Sequence, residues 1–164
     1  MIYLGSNAKG IHRLDLANFK IKSLPESIGY LAALCILDVG RNYLMFLPEN
    51  IGNLSSLTYL WLSHNQLTSL PDSIGNLSSL KQLNITGNKL TALPDSIGNL
   101  TSLVWLFAAQ NLLTTLPEAI RNLSALASLF IMVNPITSTN EGMEEVHRRF
   151  GRPGLAISMS SNEL

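Results

Sequence analysis

Residues 80–102, LKQLNITGNKLTALPDSIGNLTS, decide how this chain folds. Leu80, Leu83, Ile85 and Leu90 set an apolar rhythm that Asn88 interrupts, and Leu93-Pro94 and Ile97-Gly98-Asn99-Leu100 complete it. The spacing is neither helical nor strictly alternating. Leu83 and Ile85 are two apart, so in an extended strand both point to one side while Gln82, Asn84 and Thr86 point to the other. Such a strand cannot hide its apolar side alone. Moving 23 residues either way recovers the same pattern, and stacking the copies as a parallel sheet closes a continuous core.

Each part of the return path has a physical role. Asn88 marks the corner after the strand, where its amide can bond backbone groups left unpaired by the bend, including those of the adjacent coil. Pro94 fits the first position of a short helical turn, and Asp95 suits the positive end of that turn. Gly98 is expected to take a positive φ where the turn stops.

In this register coil one, residues 11–33, has core positions Ile11, Leu14, Leu16 and Ile21, with Phe19 where the asparagine belongs and Asn18 one place early. End coils are often atypical. Coil two has Leu37, Val39, Asn42 and Leu44, and coil three has Leu60, Leu62, Asn65 and Leu67. Coil five keeps Leu106 and Asn111, but has Ala108 where a large residue is expected and Arg121 in place of the turn glycine. Coil six keeps Leu129, Ile131, Asn134 and Ile136. One domain is expected, with an N-terminal extension at 1–10, six repeats over 11–136 and a C-terminal cap over 137–164. In the extension, Ile2 and Leu4 can cover the open end of the core. In the cap, Ser138-x-x-Glu141 has capping-box spacing, Met143, Val146 and Phe150 share a helical face, and Gly151 and Pro153 end the helix. Leu155, Ile157 and Met159 alternate, as a final edge strand or an extended tail.

The pattern resembles the leucine-rich repeat family. The match runs from about Ile11 to Ile136, and five Leu-Pro pairs recur at Pro25, Pro48, Pro71, Pro94 and Pro117. The LPxxIGNL phrase is most similar to the intracellular repeats of Scribble-type and Ras-pathway scaffolds and of many bacterial proteins. The resemblance implies a right-handed α/β solenoid, with a parallel sheet of about six strands on the concave face and short helical turns on the convex face. A second, short similarity links NPIT…RPGLAISMS to the close of the repeat domain in bacterial ubiquitin-ligase effectors.

Composition bounds the function. A chain of 164 residues fits one domain, and a hydrophobic fraction of 46% suffices for a long core. A formal net charge of zero argues against nucleic acid as the main partner. No stretch has the apolar length of a membrane helix, and residues 1–10 lack the pattern of a signal peptide. Cys35 is the single cysteine, so the disulfide-bonded end caps usual in extracellular leucine-rich repeat proteins cannot form internally, which points to a reducing, cytoplasmic compartment or to a bacterial lineage that never used such caps; the effector resemblance would imply delivery into a host cell. His12, His64 and His147 fall in different coils or the cap and do not cluster with Cys35 and a carboxylate. No catalytic, cofactor or metal site is therefore expected. Four of the five N-x-S/T sites read as by-products of the repeated N-L-S/T phrase.

Two surfaces remain. Glu26, Glu49, Asp72, Asp95 and Glu118 each follow a proline and should form an acidic row on the convex side, as partners of the helix dipoles. On the concave side the alternating positions carry charge in coils one and two (Arg13, Asp15, Asp38), and Tyr59, Trp61, Trp105, Phe107, Phe130 and Met132 in coils three to six. These six should be exposed together. With Ile36 they are the candidate partner-binding residues. The expectation is a non-catalytic module that binds a protein or peptide on this face, with no nucleic acid and no membrane involved. The alternatives are a self-associating structural unit, and the substrate-recognition repeats of a ubiquitin-ligase-type effector without its catalytic domain.

Overall fold

Among the described residues seven short strands lie side by side in chain order as one parallel sheet: β1 Arg13–Asp15, β2 Ile36–Asp38, β3 Tyr59–Trp61, β4 Gln82–Asn84, β5 Trp105–Phe107, β6 Ser128–Phe130 and β7 Ala156–Ser158. The structure, a computed structural model, describes residues 10–159, so the cover expected from Ile2 and Leu4 lies outside the described residues. From β1 to β6 each strand residue pairs with the one 23 positions on, as Leu37 with Leu60. The middle leucines therefore stack in one column, and Leu37, Leu60, Leu83, Leu106 and Leu129 are fully buried. Each such side chain contributes about 1.5–3 kcal/mol through burial. The sheet exceeds the expected six strands because the cap adds one. Ala156 N–H donates to Ala127 at 2.8 Å and Ile131 N–H to Ser158 at 3.0 Å, so the 156–158 segment is an edge strand and not a loose tail.

Between strands the chain returns through five-residue 3₁₀ turns: Glu26–Tyr30, Glu49–Asn53, Asp72–Asn76, Asp95–Asn99 and Glu118–Asn122. Each opens after an extended proline, buries its isoleucine and leaves the leading acid exposed, which lays out the acidic row.

Gly98 departs from expectation. Among the described residues the glycines with positive φ are Gly87 and Gly154, and Gly98 is not one of them. A Cβ on Gly98 would lie 2.6 Å from the Ala119 carbonyl oxygen and 2.7 Å from the Ala119 Cβ. Close approach of the next coil excludes a side chain there. Gly29, Gly52 and Gly75 face Asn50, Ser73 and Ser96 in the same way. Arg121 takes this position in coil five because coil six leaves the pattern and no equivalent turn packs against it. The left-handed backbone sits instead just before the corner asparagines, at Arg41 (55°), His64 (54°), Gly87 (71°), Gln110 (54°) and Val133 (58°).

The corners form a ladder of five buried asparagines, Asn42, Asn65, Asn88, Asn111 and Asn134. Asn88 Oδ1 accepts from Leu67 N–H at 3.0 Å, and its Nδ2 donates to Leu62 O at 3.0 Å and Ile85 O at 2.9 Å. Neighbouring rungs share carbonyls: Leu62 O also receives Asn65 Nδ2 at 3.0 Å, and Ile85 O also receives Asn111 Nδ2 at 3.0 Å. In coil one Phe19 does not replace the missing asparagine; it is 68% exposed, and Asn42 Oδ1 accepts from both Phe19 N–H and Ile21 N–H. Ala108 is fully buried within the core.

The cap helix α1 spans Asn140–Phe150 and buries Val146 and Phe150. Its N-cap is Thr139, whose hydroxyl accepts from Gly142 N–H at 3.1 Å, and not the expected Ser138. Ser138 already closes the Pro135–Thr137 turn in a helical conformation, and only Thr139 has the extended backbone that an N-cap requires. Arg149 fastens the helix to coil five by bonding Glu118 at 2.9 Å and Leu116 O at 3.3 Å. That hydrogen bond lowers the Glu118 pKa below the ordinary glutamate range, against an opposing desolvation.

Candidate binding surface

Strand alternation places six of the seven expected residues on the open face of the sheet, in two rows. Ile36, Tyr59 and Trp105 occupy the row that also contains Arg13, Gln82 and Ser128. Trp61, Phe107 and Phe130 occupy the next row with Asp15, Asp38 and Asn84. Met132 lies just beyond β6.

The six large residues are not equally exposed. Trp105 is 38% exposed, whereas Tyr59, Trp61, Phe107, Phe130 and Met132 are half-buried, as is Ile36. They shelter one another. Phe107 and Phe130 pair across adjacent strands with centroids 4.6 Å apart and planes 8° from parallel. Tyr59 and Trp61, two apart on β3, tilt at 51° with centroids 6.2 Å apart. Such ring pairs add roughly 0.5–1.5 kcal/mol beyond simple burial. Trp105 stays open because its row neighbours are Gln82 and Ser128.

The result is two apolar platforms, Tyr59–Trp61 and Trp105–Phe107–Phe130, divided by the amide side chains of β4. The first two strands add charge: Arg13 lies 3.6 Å from Asp15, and Asp38 Oδ1 accepts from Gly40 N–H at 2.9 Å. Cys35 is half-buried, with Sγ 3.5 Å from Ala33 O. Among the described residues no group of three His, Cys, Asp or Glu side chains is arranged to hold a metal ion, and no helix is long and apolar enough to cross a membrane.

A family model described as a leucine-rich repeat region matches residues 47–148. The chain belongs to the leucine-rich repeat family. A solved leucine-rich repeat protein of Leptospira interrogans is 31% identical, with a TM-score of 0.66, and the alignment covers 94% of this chain and 44% of that one. The leucine-rich repeat domain of APL1B is 24% identical with a TM-score of 0.70 over 75% of this chain and 38% of that one, a likeness in fold. The chain thus spans less than half the length of either neighbour. No curated protein matches.

Leucine-rich repeats are interaction and scaffold modules, and the repeat itself serves as an internal control for what the fold requires. By that control a second apolar surface stands out that reading the strands alone misses. Tyr43, Met45 and Phe46 are 46%, 57% and 58% exposed, and Phe19 in the preceding coil is 68% exposed. The first three follow the corner of coil two, where coils three and four carry Gln66, Thr68, Ser69 and Lys89, Thr91, Ala92, and coil five carries Leu112, 49% exposed, with Thr114 and Thr115. Comparing the coils position by position after the asparagine would have found them.

Proposed function

We infer that the chain is a non-catalytic protein-interaction module whose open sheet face takes a protein or peptide ligand. The observation that carries this reading is Trp105, a tryptophan held partly in solvent beside the stacked Phe107–Phe130 pair on a rigid parallel sheet. Nothing in the core requires it, because Leu106 already fills the inward slot of β5. Aromatic anchors of this kind contribute about 2 kcal/mol or more when a partner buries them, and a preformed sheet adds little ordering cost. Two apolar platforms about two strand spacings apart, roughly 10 Å, suit an extended segment with two anchor side chains. The amides of Gln82 and Asn84 lie between them to meet its backbone.

Affinity capture with wild type and with Trp61→Ala/Trp105→Ala tests this. The double variant is expected to lose the captured protein while its thermal melt stays cooperative. Capture that survives the double substitution refutes the sheet-face assignment. Sedimentation of the free chain separates the runner-up: a dimer dissolved by the same substitutions would favour self-association.

A further inference from the structure

We propose that the flank of coils one to three, just past the corner asparagines, is a second docking surface, and that its ligand is a short acidic peptide segment carrying an apolar anchor. The argument starts from charge placement. None of the eleven acidic residues falls between the end of any repeat strand and the Leu-Pro pair that follows, nor in the equivalent 131–138 stretch of coil six. The cations in those stretches are Lys20, Lys22, Arg41 and Lys89, so three of the four lie in coils one and two.

The same two coils hold the exposed apolar side chains Phe19, Tyr43, Met45 and Phe46. Lys22, Tyr43, Met45 and Gln66 line an open groove of about 390 Å³ across coils one to three. The backbone beneath is fixed, since Tyr43 N–H donates to Ile21 at 2.8 Å and Gln66 N–H to Leu44 at 2.9 Å. Coils three and four build the same backbone with glutamine, lysine, threonine, serine and alanine, so the fold does not demand aromatic and thioether groups here. Exposed apolar clusters on otherwise polar surfaces mark interaction sites.

Charge and size select the occupant. Lysines beside an apolar groove attract a carboxylate-bearing segment and place its anchor in the groove. The positive stretch is local: Glu26 and Glu49, both exposed, follow the flank in the same coils. A long polyanion or an anionic bilayer would be brought against those carboxylates, whereas a short peptide is not.

The test is selection of a randomised displayed peptide library on the wild-type chain, followed by fluorescence anisotropy of the selected peptides. The expected winners combine acidic residues with an aromatic or aliphatic anchor. Lys20→Glu/Lys22→Glu is expected to weaken them by about tenfold or more, and added salt to weaken them further. Tyr43→Ala is expected to weaken them independently. All three side chains are exposed, and should Tyr43→Ala disturb folding, the lysine pair still decides. Winners without acidic character, or winners indifferent to the lysine substitutions, overturn the proposal. Peptides lost only on Trp105→Ala belong to the sheet face and also overturn it. So does lysine-dependent binding to anionic phospholipid vesicles with no flank-dependent peptide recovered.

Discussion

The shared carbonyls of the asparagine ladder give a prediction that can be worked atom by atom. Asn88→Ala removes the acceptor of Leu67 N–H, a buried donor with no substitute, while Leu62 O keeps Asn65 and Ile85 O keeps Asn111. One orphaned buried N–H costs about 1–3 kcal/mol. Asn65→Ala orphans Leu44 N–H in the same way. In the double variant Leu62 O loses both of its amide donors. The cost should exceed the sum of the singles by about 1 kcal/mol or more, the penalty for one further stranded group. Asn65 and Asn111 share no carbonyl, so that pair should add within about 0.3–0.5 kcal/mol. The assay is urea unfolding of the wild type, the singles and both doubles, followed by tryptophan emission. Equal coupling in the two pairs, or none in either, would refute the ladder as a chain of shared bonds.

Three other outcomes are expected. Gly98→Ala forces a Cβ against the Ala119 backbone, so it should lower stability by about 1–3 kcal/mol; an unchanged urea midpoint would show that the coils are not in close contact there. Val133 is β-branched, 63% exposed and left-handed at φ 58°; because that conformation costs about 1–2 kcal/mol for an L-residue and asparagine tolerates it, Val133→Asn should raise the melting temperature, and a lower one would contradict the strain. The Glu118 carboxylate, its pKa lowered by the Arg149 hydrogen bond, adds stability that is complete above the unfolded-state glutamate pKa and vanishes as pH falls through the depressed folded value. Glu118→Gln should therefore be less stable than wild type at neutral pH, with the gap closing in acid; a gap independent of pH would assign the effect to packing.

Much of the fold was legible because the period fixes almost everything. Once Leu83, Ile85 and Asn88 are placed in one coil, the strand pairing of Leu37, Leu60 and Leu106 follows by addition, and the structure keeps that register through six strands. What the period hides is contact between coils. Gly98 reads as a turn residue, yet its cause is the Ala119 backbone of the next coil. The left-handed position before each corner was hard to read because Arg41, His64, Gln110 and Val133 occupy it in four coils and only Asn18 and Gly87 are of types that favour it. The N-cap moved from Ser138 to Thr139 because a short turn had already claimed the serine. On the sheet face, alternation placed the six candidate residues that lie in strands, but it says nothing of rings lying on rings, and so overstated the exposure of Phe107 and Phe130. The flank patch escaped notice because Tyr43, Met45 and Phe46 lie between the leucines that define the repeat.

The most direct measurement of the central claim uses the chain's two tryptophans, Trp61 and Trp105, both of which lie on the proposed binding face. Titrating a captured, non-fluorescent partner peptide into the protein should shift tryptophan emission to the blue in proportion to occupancy, as Trp105 leaves water. Saturable binding of that peptide, seen by calorimetry, with no change in tryptophan emission would contradict the sheet face as the site.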